Sequence, residues 1–491
     1  MKTIMGISCL GHDAGVAIVK GKEICFAAQT ERYSKQKNDS YLNHEIIQNA
    51  IDVGGSPDLI VYYENPLQKK LRQLVAGQWK SAFFGTWPKR YIRSFTSLSD
   101  VPIHSVGHHL SHAAGGYYTS SFKEAAIIVV DAIGEWNTIT VWEARGNDLK
   151  KIYTCNYPNS LGLFYSAFTQ RIGYKPNEEE YIMMGLATLG EPKYAELIKN
   201  DFIEDTDPPN FELKRSMHRG ILDWRPDLKD DKNIAASVQQ ITEDFLIDLW
   251  KWTSQNTGMT NLVYSGGVAL NCVANAKLVQ KGFFENVWIM PNPGDSGSSL
   301  GAALAYKNDW VNWNGPYLGY NLDRPFLQEN EALEELMKTG IIGFAHGRSE
   351  FGPRALGNRS LLANPTIPDI KDRVNHIKKR QSFRPFAPIV LEEHAHEYFD
   401  LPFDTSPYMQ YVVRCKKPNS FPGIVHSDGS SRVQTINSEQ NNRVYNLLKS
   451  FYQKTGCPMM LNTSLNIKGM PILNDQNDIL AFEKKYHIKV F

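Results

Sequence analysis

The sequence lacks the cysteine patterns of disulfide-stabilised and zinc-binding proteins. Its six cysteines are scattered and form no CxxC pair, as is typical of reduced core residues in a cytoplasmic protein. It also lacks any apolar run of roughly 18 residues, and its amino terminus has no apolar leader segment. We therefore expect a cytoplasmic chain with neither a signal peptide nor a membrane-spanning helix.

An excess of charge of either sign is also missing. Lys and Arg number 53 and Asp and Glu number 52, which gives a formal net charge of +1. The chain as a whole therefore has no electrostatic attraction to nucleic acid or to anionic membranes. The stretch 66–95 is basic and aromatic, but it is short and not repeated, and we interpret it as a solvated helical surface. We expect no membrane partner and no general nucleic-acid partner.

The length of 491 residues exceeds what one hydrophobic core usually supports and predicts two or three domains. Two strand–glycine–helix patterns in the amino-terminal part indicate a duplicated α/β architecture. The polar stretch 314–331 is spaced by proline and glycine, and we place a domain boundary there. The sequence thus predicts an α/β domain over 1–325 and an α+β domain over 326–491.

Histidines precede an apolar strand in the first domain. His108 and His112 have the i, i+4 spacing that puts two side chains on one face of a helix. The run 125–130 is predicted to be a buried strand, and it ends at Asp131, where α/β sheets place ligands. Asp295 follows a later strand in the same way. Two imidazoles and two carboxylates suit a divalent metal; the alternative is that the histidines hydrogen-bond at a packed helix end.

The amino-terminal pattern predicts three short strands joined by glycine turns, as at the start of actin-like ATPase folds. His12 lies in the first turn, beside the expected ligand cleft, and the alternative is a histidine that hydrogen-bonds the turn backbone. A later strand leads through Gly266 and Gly267 into a helix, which suits the close approach of a nucleotide. The charged segment 31–37, which ends at Lys37, is by default a solvated loop or helix face.

The second domain carries arginines and lysines beside glycine, proline and serine rather than on amphipathic helices. Converging Arg, Lys and Ser side chains would bind phosphate or carbamate oxygens, and the alternative is ordinary surface charge. The candidate anion ligands are Arg354, Arg359, Lys378, Arg380, Arg384, Arg432, Ser464 and Asn466.

These patterns lie within longer motifs that resemble one enzyme family. The motifs are GHDAGVAIV, HHLSHAAGGYY, VVDAIGEW, SGGVALNCVANAKL, GDSGSSLGAAL, FGPRALGNRSLLA, RQSFRPFAP and LNTSLNIKG. In this order they are similar to the O-carbamoyltransferases, which include nodulation carbamoyltransferases and enzymes that carbamoylate aminoglycoside and cephem antibiotics. The resemblance implies a TsaD-like domain of the actin-like ATPase class over 1–325 and a YrdC-like domain over 326–491.

The resemblance also implies a two-step reaction and its sites. The YrdC-like domain would form carbamoyl adenylate from carbamoyl phosphate and ATP with Mg, and the TsaD-like domain would transfer the carbamoyl group to an acceptor hydroxyl. The implied transfer residues are His12 and Lys37, and the implied metal ligands, for iron in this family, are His108, His112, Asp131 and Asp295. The implied nucleotide contacts in the first domain are Gly134, Gly266, Gly267 and Asn271. The implied donor and ATP contacts in the second are Arg354, Lys378, Arg380, Arg384, Arg432, Ser464 and Asn466.

Several alternatives stay open at this point. Ile182 stands where the family commonly has lysine, so the nucleotide contacts of that loop are left open. A related carbamoyl or threonylcarbamoyl transferase of tRNA modification or protein maturation is one alternative function. A non-catalytic, actin-like nucleotide switch is another, but it has no use for the cations of the second domain. The acceptor is a sugar, a natural product or a modified nucleoside, and a homodimer is one option for assembly.

Overall fold

The structure is a computed structural model that describes residues 2–324, 329–381, 384 and 386–491. The chain divides into two compact units. The first comprises the residues up to Thr30 together with Asn38–Trp313, and the second comprises Glu31–Lys37 together with Asn314–Phe491. The predicted boundary between residues 325 and 326 lies outside the described residues. The short helix α1 (Glu31–Ser34) therefore belongs to the second unit although it comes early in the chain.

The first unit begins with a five-stranded sheet in which the strand order is β3-β2-β1-β4-β5. Its strands are β1 (Thr3–Ser8), β2 (Gly15–Lys20), β3 (Glu23–Gln29), β4 (Leu59–Tyr62) and β5 (Ile103–Ser105). The first three form the antiparallel meander that the sequence predicts, whereas β1 and β4 run parallel. The turn after β1 carries His12.

A second five-stranded sheet of the same unit has the order β12-β11-β6-β7-β8. Its strands are β6 (Glu124–Val130), β7 (Asn137–Arg145), β8 (Asp148–Asn156), β11 (Asn261–Ser265) and β12 (Asn286–Trp288), and the short pair β9 (Ile203–Asp205) and β10 (Glu212–Leu213) lies apart from it. Strands β6 and β11 are parallel, so their carboxyl ends, Val130 and Ser265, lie at the same edge. Asp131 and Gly266 follow directly at that edge.

Helices fill the rest of the first unit. They are α2 (His44–Gly54), α3 (Pro66–Val75), α4 (Trp79–Phe84), α5 (Pro88–Ile92), α6 (His108–Tyr117), α7 (Leu161–Arg171), α8 (Glu180–Ala187), α9 (Ala195–Phe202), α10 (Asp231–Thr257), α11 (Cys272–Gln280) and α12 (Ser298–Lys307). Short 3-10 turns at Gly267–Leu270 and Asp295–Gly297 precede α11 and α12. Among the described residues, none of the helices has the combined length and hydropathy that crossing a bilayer requires.

Helices α6 and α12 approach each other closely because glycine faces the contact. A Cβ atom on Gly301 would lie 2.0 Å from the carbonyl oxygen of Ser111, and one on Gly115 would lie 3.2 Å from the Cα atom of Gly301. The Ser298 hydroxyl, at the start of α12, is 3.2 Å from Nδ1 of His112. This close packing therefore sets the position of the histidines of α6.

The second unit is built on a five-stranded sheet with the order β14-β16-β21-β17-β20. The strands of this sheet are β14 (Ile341–Ala345), β16 (Arg359–Ala363), β17 (Ala387–Leu391), β20 (Gln434–Ile436) and β21 (Met459–Ser464). Two separate pairs are formed by β13 (Tyr317–Leu322) with β15 (Gly347–Glu350) and by β18 (Val412–Arg414) with β19 (Ser430–Arg432). The helices of the second unit, after α1, are α13 (Glu329–Thr339), α14 (Ile370–Lys378), α15 (Ala395–Tyr398), α16 (Asn442–Thr455) and α17 (Gln476–Tyr486). Both units are thus mixed α/β structures.

Substituting Gly301 by alanine tests the close contact of α6 with α12. The new methyl group would meet the Ser111 carbonyl oxygen, so we expect Gly301→Ala to lower the free energy of unfolding by about 1–3 kcal/mol. Gly185→Ala is the matched control, because a Cβ atom at Gly185 within α8 meets nothing within 4 Å. The control should be neutral or stabilising by about 0.5–1 kcal/mol. The midpoints of thermal unfolding compare the two, and equal midpoints would contradict the packing argument.

Candidate metal centre and anion-binding cluster

Four potential ligand atoms converge in the interior of the first unit. The Nε2 atoms of His108 and His112 are 3.1 Å apart, and both lie 3.5 Å from Oδ1 of Asp295. Oδ2 of Asp131 is 2.9 Å from the His108 nitrogen and 3.3 Å from the His112 nitrogen. One ligand atom from each of the four residues lies within 4.8 Å of all the others. The structure therefore brings together the four residues that the sequence singles out.

Secondary structure and hydrogen bonds hold these side chains in place. His108 and His112 are one turn apart on α6, Asp131 follows β6, and Asp295 begins the turn before α12. The carboxylate of Glu135 accepts the backbone N–H of His108 at 3.0 Å. It thus pairs an N–H group that lacks a partner within the helix and places a negative charge at the positive end of the α6 dipole. Glu135 was not among the candidate residues, although it lies in the VVDAIGEW motif.

The charges of the four side chains depend on one another. Burial disfavours the charged form of the Asp131 carboxyl, but its hydrogen bonds with His108 and His112 hold its pKa well below the usual value. Burial likewise lowers the pKa of His108, and the charges of Asp295 and Asp131 more than offset this and raise it to about 9. Protons shared with the two imidazoles thus stabilise the carboxylates of Asp131 and Asp295 close together.

The donor set fits a divalent transition metal. Imidazole and carboxylate ligands suit iron, zinc or manganese, and the four ligand atoms lie close enough together to bind one cation. The Ser298 hydroxyl beside Nδ1 of His112 orients the imidazole from behind. His109 differs, since its Nδ1 lies 2.9 Å from the Thr140 hydroxyl, and it is not one of the four.

The glycine turn after β11 is linked to the centre through Asp131. The second carboxylate oxygen of Asp131, Oδ1, accepts the backbone N–H of Gly267 at 3.2 Å. Gly266 has φ +92, and a Cβ atom there would lie 2.2 Å from the Val130 carbonyl oxygen, so both the backbone and the space require glycine. Gly134 also lies here, since a Cβ atom on it would be 3.2 Å from the Cβ atom of His108.

A polar network that the sequence interpretation missed lies beside the glycine turn. Asn271 caps α11 and exchanges amide hydrogen bonds with Gln239, both at 3.1 Å. Gln239 also accepts the hydroxyl of Tyr165 at 2.8 Å and donates to Glu243 at 2.8 Å. The carboxylate of Glu243 is paired with Lys277 at 2.5 Å. The sequence feature that could have indicated this network is the i, i+4 pair of Gln239 and Glu243 among the buried residues of α10.

Ile182, at the position where the family commonly has lysine, is buried within α8. Its side chain belongs to the apolar core, so this position offers no charge to a ligand. The nucleotide contacts predicted for Gly134, Gly266, Gly267 and Asn271 therefore depend on backbone groups and on the amide of Asn271.

His12 lies on the turn after β1, partly exposed, with Nδ1 3.5 Å from the Asp13 carboxylate. Burial lowers its pKa, but the hydrogen bond and charge of Asp13, followed by the charges of Asp295 and Glu178, raise the pKa to about 9. A pKa of about 9 favours the protonated form of His12 at neutral pH. The charge of Asp295, one of the candidate metal ligands, is among the causes that raise it.

In the second unit, Lys378 is buried at the end of α14. Its ammonium group donates to the Ser464 carbonyl and hydroxyl oxygens at 2.5 and 3.2 Å, and to the Asn466 carbonyl and side-chain oxygens at 3.0 and 2.7 Å. Burial, and then the charges of Arg380, Arg384 and Lys37, hold its pKa well below the ordinary value. The charges of Arg380, Arg384 and Lys37 thus act on Lys378, and an anion bound beside this cation cluster would offset their repulsion.

The remaining predicted ligands of the second unit lie on other segments. Arg354 is in the loop between β15 and β16, and Arg432 ends β19; the contacts around Lys378 do not include either of them. Nε of Arg432 is buried without a hydrogen-bond partner. Arg359 has a structural role instead, because its guanidinium donates to backbone carbonyls that include those of His346 and Tyr320. In the RQSFRPFAP motif, Ser382, Phe383 and Pro385 lie outside the described residues.

The segment Glu31–Lys37 is not a solvated face, contrary to the default interpretation. Arg32 is buried, lies 3.8 Å from the Glu350 carboxylate and donates to the Gly352 carbonyl at 2.8 Å. Lys35 pairs with Asp478 at 2.5 Å and with Asp475 at 3.2 Å. The segment packs into the second unit because its charged residues find partners there, and it carries Lys37 to the electrostatic surroundings of Lys378.

Together the fold and the sites define a mixed α/β protein with a buried histidine–aspartate centre in one unit and a cation cluster in the other. The chain matches two family descriptions, Carbamoyltransferase N-terminus over residues 91–304 and Carbamoyltransferase C-terminus over residues 333–491. The chain therefore belongs to the carbamoyltransferase family and is a transferase enzyme, as its motifs predict.

Known proteins that resemble this chain include two bacterial relatives and a solved structure. Nodulation protein NolNO of Sinorhizobium fredii is 32% identical over 96% of this chain and 76% of that protein. An uncharacterized protein of Synechocystis sp. is 33% identical over 97% of this chain and 93% of that protein. The crystal structure of full-length HypF in the phosphate- and nucleotide-bound form has a TM-score of 0.36 and 15% identity over 62% of this chain and 55% of that one. At that score the structural likeness supports no assignment.

Removal of one imidazole tests the metal centre. We expect His112→Ala to reduce the affinity for a divalent transition metal at least about tenfold, because one of the four ligands is lost. The readout is metal content after dialysis together with competition against a chelator. His109→Gln is the matched control, a neighbouring buried histidine outside the set, and should retain the metal. Equal retention by both variants would contradict the assignment.

The pairing of His12 with Asp13 has its own test. The pKa of His12, about 9, should fall in Asp13→Asn, and it should fall less in Glu178→Gln, because Asp13 is the larger cause. Histidine-selective NMR of the metal-free protein, with His12→Gln for assignment, measures both. Since a general base must be unprotonated, transfer activity should rise with pH towards 9, and Asp13→Asn should move that rise to lower pH. An unchanged titration in Asp13→Asn would contradict the pairing.

Proposed function

We propose that this enzyme is an ATP-dependent O-carbamoyltransferase that works in two steps, one in each unit. The observation that carries the proposal is the buried ammonium group of Lys378 in the cation cluster of the second unit. It donates to neutral oxygens of Ser464 and Asn466, and the charges of Arg380, Arg384 and Lys37 act on it. Carbamoyl phosphate and ATP are both polyanions and supply the charge that such a group needs. A nucleotide switch of the first unit alone would leave this cluster without a purpose.

In the first step, the second unit forms carbamoyl adenylate. Water hydrolyses carbamoyl phosphate to carbamate and phosphate. A carbamate oxygen then attacks the α-phosphorus of ATP while the bond from the α-phosphorus to the bridging oxygen breaks and pyrophosphate leaves. Lys378, Arg380 and Lys37 would bind the phosphate oxygens, and Ser464 and Asn466 would orient the carbamoyl group through hydrogen bonds. The step is needed because nitrogen donation makes the carbamoyl carbon a poor electrophile, and AMP is a good leaving group.

In the second step, the first unit transfers the carbamoyl group to a hydroxyl. The acceptor oxygen bonds to the carbamoyl carbon, its proton passes to a base, and the bond to AMP breaks. His12 is the proposed base, provided that it has lost its own proton. A divalent metal held by His108, His112, Asp131 and Asp295 would act as a Lewis acid on the adenylate phosphate. Gly266 and Gly267, which carry no side chains, would let the nucleotide approach the turn closely.

The acceptor class is a small-molecule hydroxyl, of a sugar, a natural product or a modified nucleoside. Support for carbamoyl transfer comes from family membership, and one relative is named as a nodulation protein. Iron is the metal proposed from the family resemblance. An unstable mixed anhydride favours transfer in a site that is closed to water over release.

Pyrophosphate release in the absence of acceptor tests the first step. Purified enzyme with ATP and carbamoyl phosphate should release pyrophosphate only when both are present. Lys378→Met should raise the KM for carbamoyl phosphate roughly tenfold or more, because a hydrogen bond to a charged group contributes about 1.5–3 kcal/mol. Lys379→Met is the matched control, since the neighbouring lysine is exposed, and it should behave as the unmodified enzyme.

Two further variants make the result specific. Arg380→Gln, at a half-buried position, should also weaken carbamoyl phosphate binding, and it serves if Lys378→Met fails to fold. His12→Ala should retain pyrophosphate release and lose carbamoyl transfer, because His12 belongs to the other step. Absence of pyrophosphate release from folded enzyme that binds ATP would contradict the two-step proposal.

A further inference from the structure

Helix α3 presents its apolar side chains to solvent and its arginine to the protein. Leu67, Leu71 and Val75 follow the i, i+4, i+8 spacing of one helix face, and they are 69%, 55% and 68% exposed. The one buried side chain of α3 is that of Arg72. An amphipathic helix of a globular protein normally has the opposite orientation, so this face is arranged for something other than the core of its own unit.

Helix α4 and the loop after it also expose large apolar side chains. Trp79 and Phe83 stack with their ring centroids 6.3 Å apart and an interplanar angle of 11°, and Phe84 is 87% exposed. Fourteen large hydrophobic side chains are exposed in the described part of the chain, and seven of them lie between Leu67 and Trp87. Such clustering marks an interaction surface, whereas single exposed apolar residues do not.

Polar contacts attach α3 and α4 to the rest of the first unit, so the exposure of their apolar side chains does not result from loose packing. Nε of Arg72 donates to the Glu135 carbonyl at 3.1 Å, and the ammonium of Lys70 donates to the Ala82 carbonyl at 2.8 Å, which joins α3 to α4. The side chain of Gln78 is hydrogen-bonded to His218 at 2.6 Å. We call the stretch Pro66–Arg93 the basic hairpin.

The charge of the basic hairpin restricts what can cover it. The sequence has no acidic residue between Glu64 and Asp100, and Lys80, Lys89, Arg90 and Arg93 are exposed beside the apolar side chains. A second copy docked face to face would bring like charges together, which opposes an isologous dimer. RNA phosphates would pair with the cations, but Leu67, Leu71 and Val75 would have no apolar partners. An anionic lipid surface offers partners for both kinds of side chain, because its phosphates pair with the cations and its acyl chains contact the apolar side chains.

We propose that the basic hairpin is a peripheral docking site for anionic membranes. The hairpin lies in the interface, with Trp79 and Trp87 at headgroup depth and with Phe83, Phe84 and the apolar face of α3 inserted below. This differs from the expectation of a solvated surface, because the exposure of the apolar side chains becomes visible only in the structure. The proposal concerns attachment rather than spanning, and it is independent of the proposed carbamoyl transfer.

Flotation of the full-length enzyme with vesicles tests the proposal. The enzyme should bind vesicles of phosphatidylcholine mixed with phosphatidylglycerol, bind vesicles of phosphatidylcholine alone much less, and dissociate as salt is raised. The double variants Phe83→Ser/Phe84→Ser and Lys80→Glu/Arg90→Glu should each reduce binding at least about tenfold. Leu480→Ser, which changes an exposed leucine of α17 in the second unit, is the matched control and should bind normally.

Other outcomes would overturn the proposal. They are no binding to anionic vesicles by folded enzyme, equal binding to neutral and anionic vesicles, and unchanged binding by both double variants. A dimer in analytical ultracentrifugation that Phe83→Ser/Phe84→Ser dissociates would assign the surface to a second copy. Binding of RNA that Lys80→Glu/Arg90→Glu abolishes, without vesicle binding, would assign it to nucleic acid.

Discussion

Asp131 makes the contacts on which the arrangement of the first unit's site depends. One carboxylate oxygen lies within 3.3 Å of both His108 and His112, and the other accepts the backbone N–H of Gly267. A single side chain thus fixes the metal ligands relative to the glycine turn, and hence relative to any phosphate bound by that turn. Its place at the end of β6, parallel to β11, explains why both features occur at one edge of the sheet.

The metal centre could be predicted from the sequence because its geometry is local. The i, i+4 spacing of His108 and His112 fixes their common face once a helix forms, and strand ends fix Asp131 and Asp295. The glycine turn was predictable for the same reason, since a strand, two glycines and a helix are adjacent in the chain. What the sequence could not supply was the closeness of α6 to α12, which depends on the fit of Gly301 against a distant backbone carbonyl.

The residues that the sequence interpretation missed have partners far along the chain. Arg32 looks like a surface residue until Glu350 and the Gly352 carbonyl are brought to it, and Lys35 likewise depends on Asp475 and Asp478. No periodicity within ERYSKQK indicates such burial. Arg359 shows the converse, because an arginine beside glycine and serine suggested an anion ligand, whereas its donors are taken up by backbone carbonyls.

The two candidate sites gather titratable side chains of different kinds, and this difference favours different ligands. The first unit gathers carboxylates and imidazoles, which need a cation or shared protons to lie so close. In the second, the charges of Arg380, Arg384 and Lys37 act on Lys378. Within the described part of the chain, the ammonium group of Lys378 donates to neutral oxygens of Ser464 and Asn466. Burying a charge is costly unless it is paired, so we expect a divalent cation at the first site and a phosphate-bearing anion at Lys378 to stabilise the units that bind them. Charge therefore separates the sites for metal and donor before any detail of the chemistry is considered.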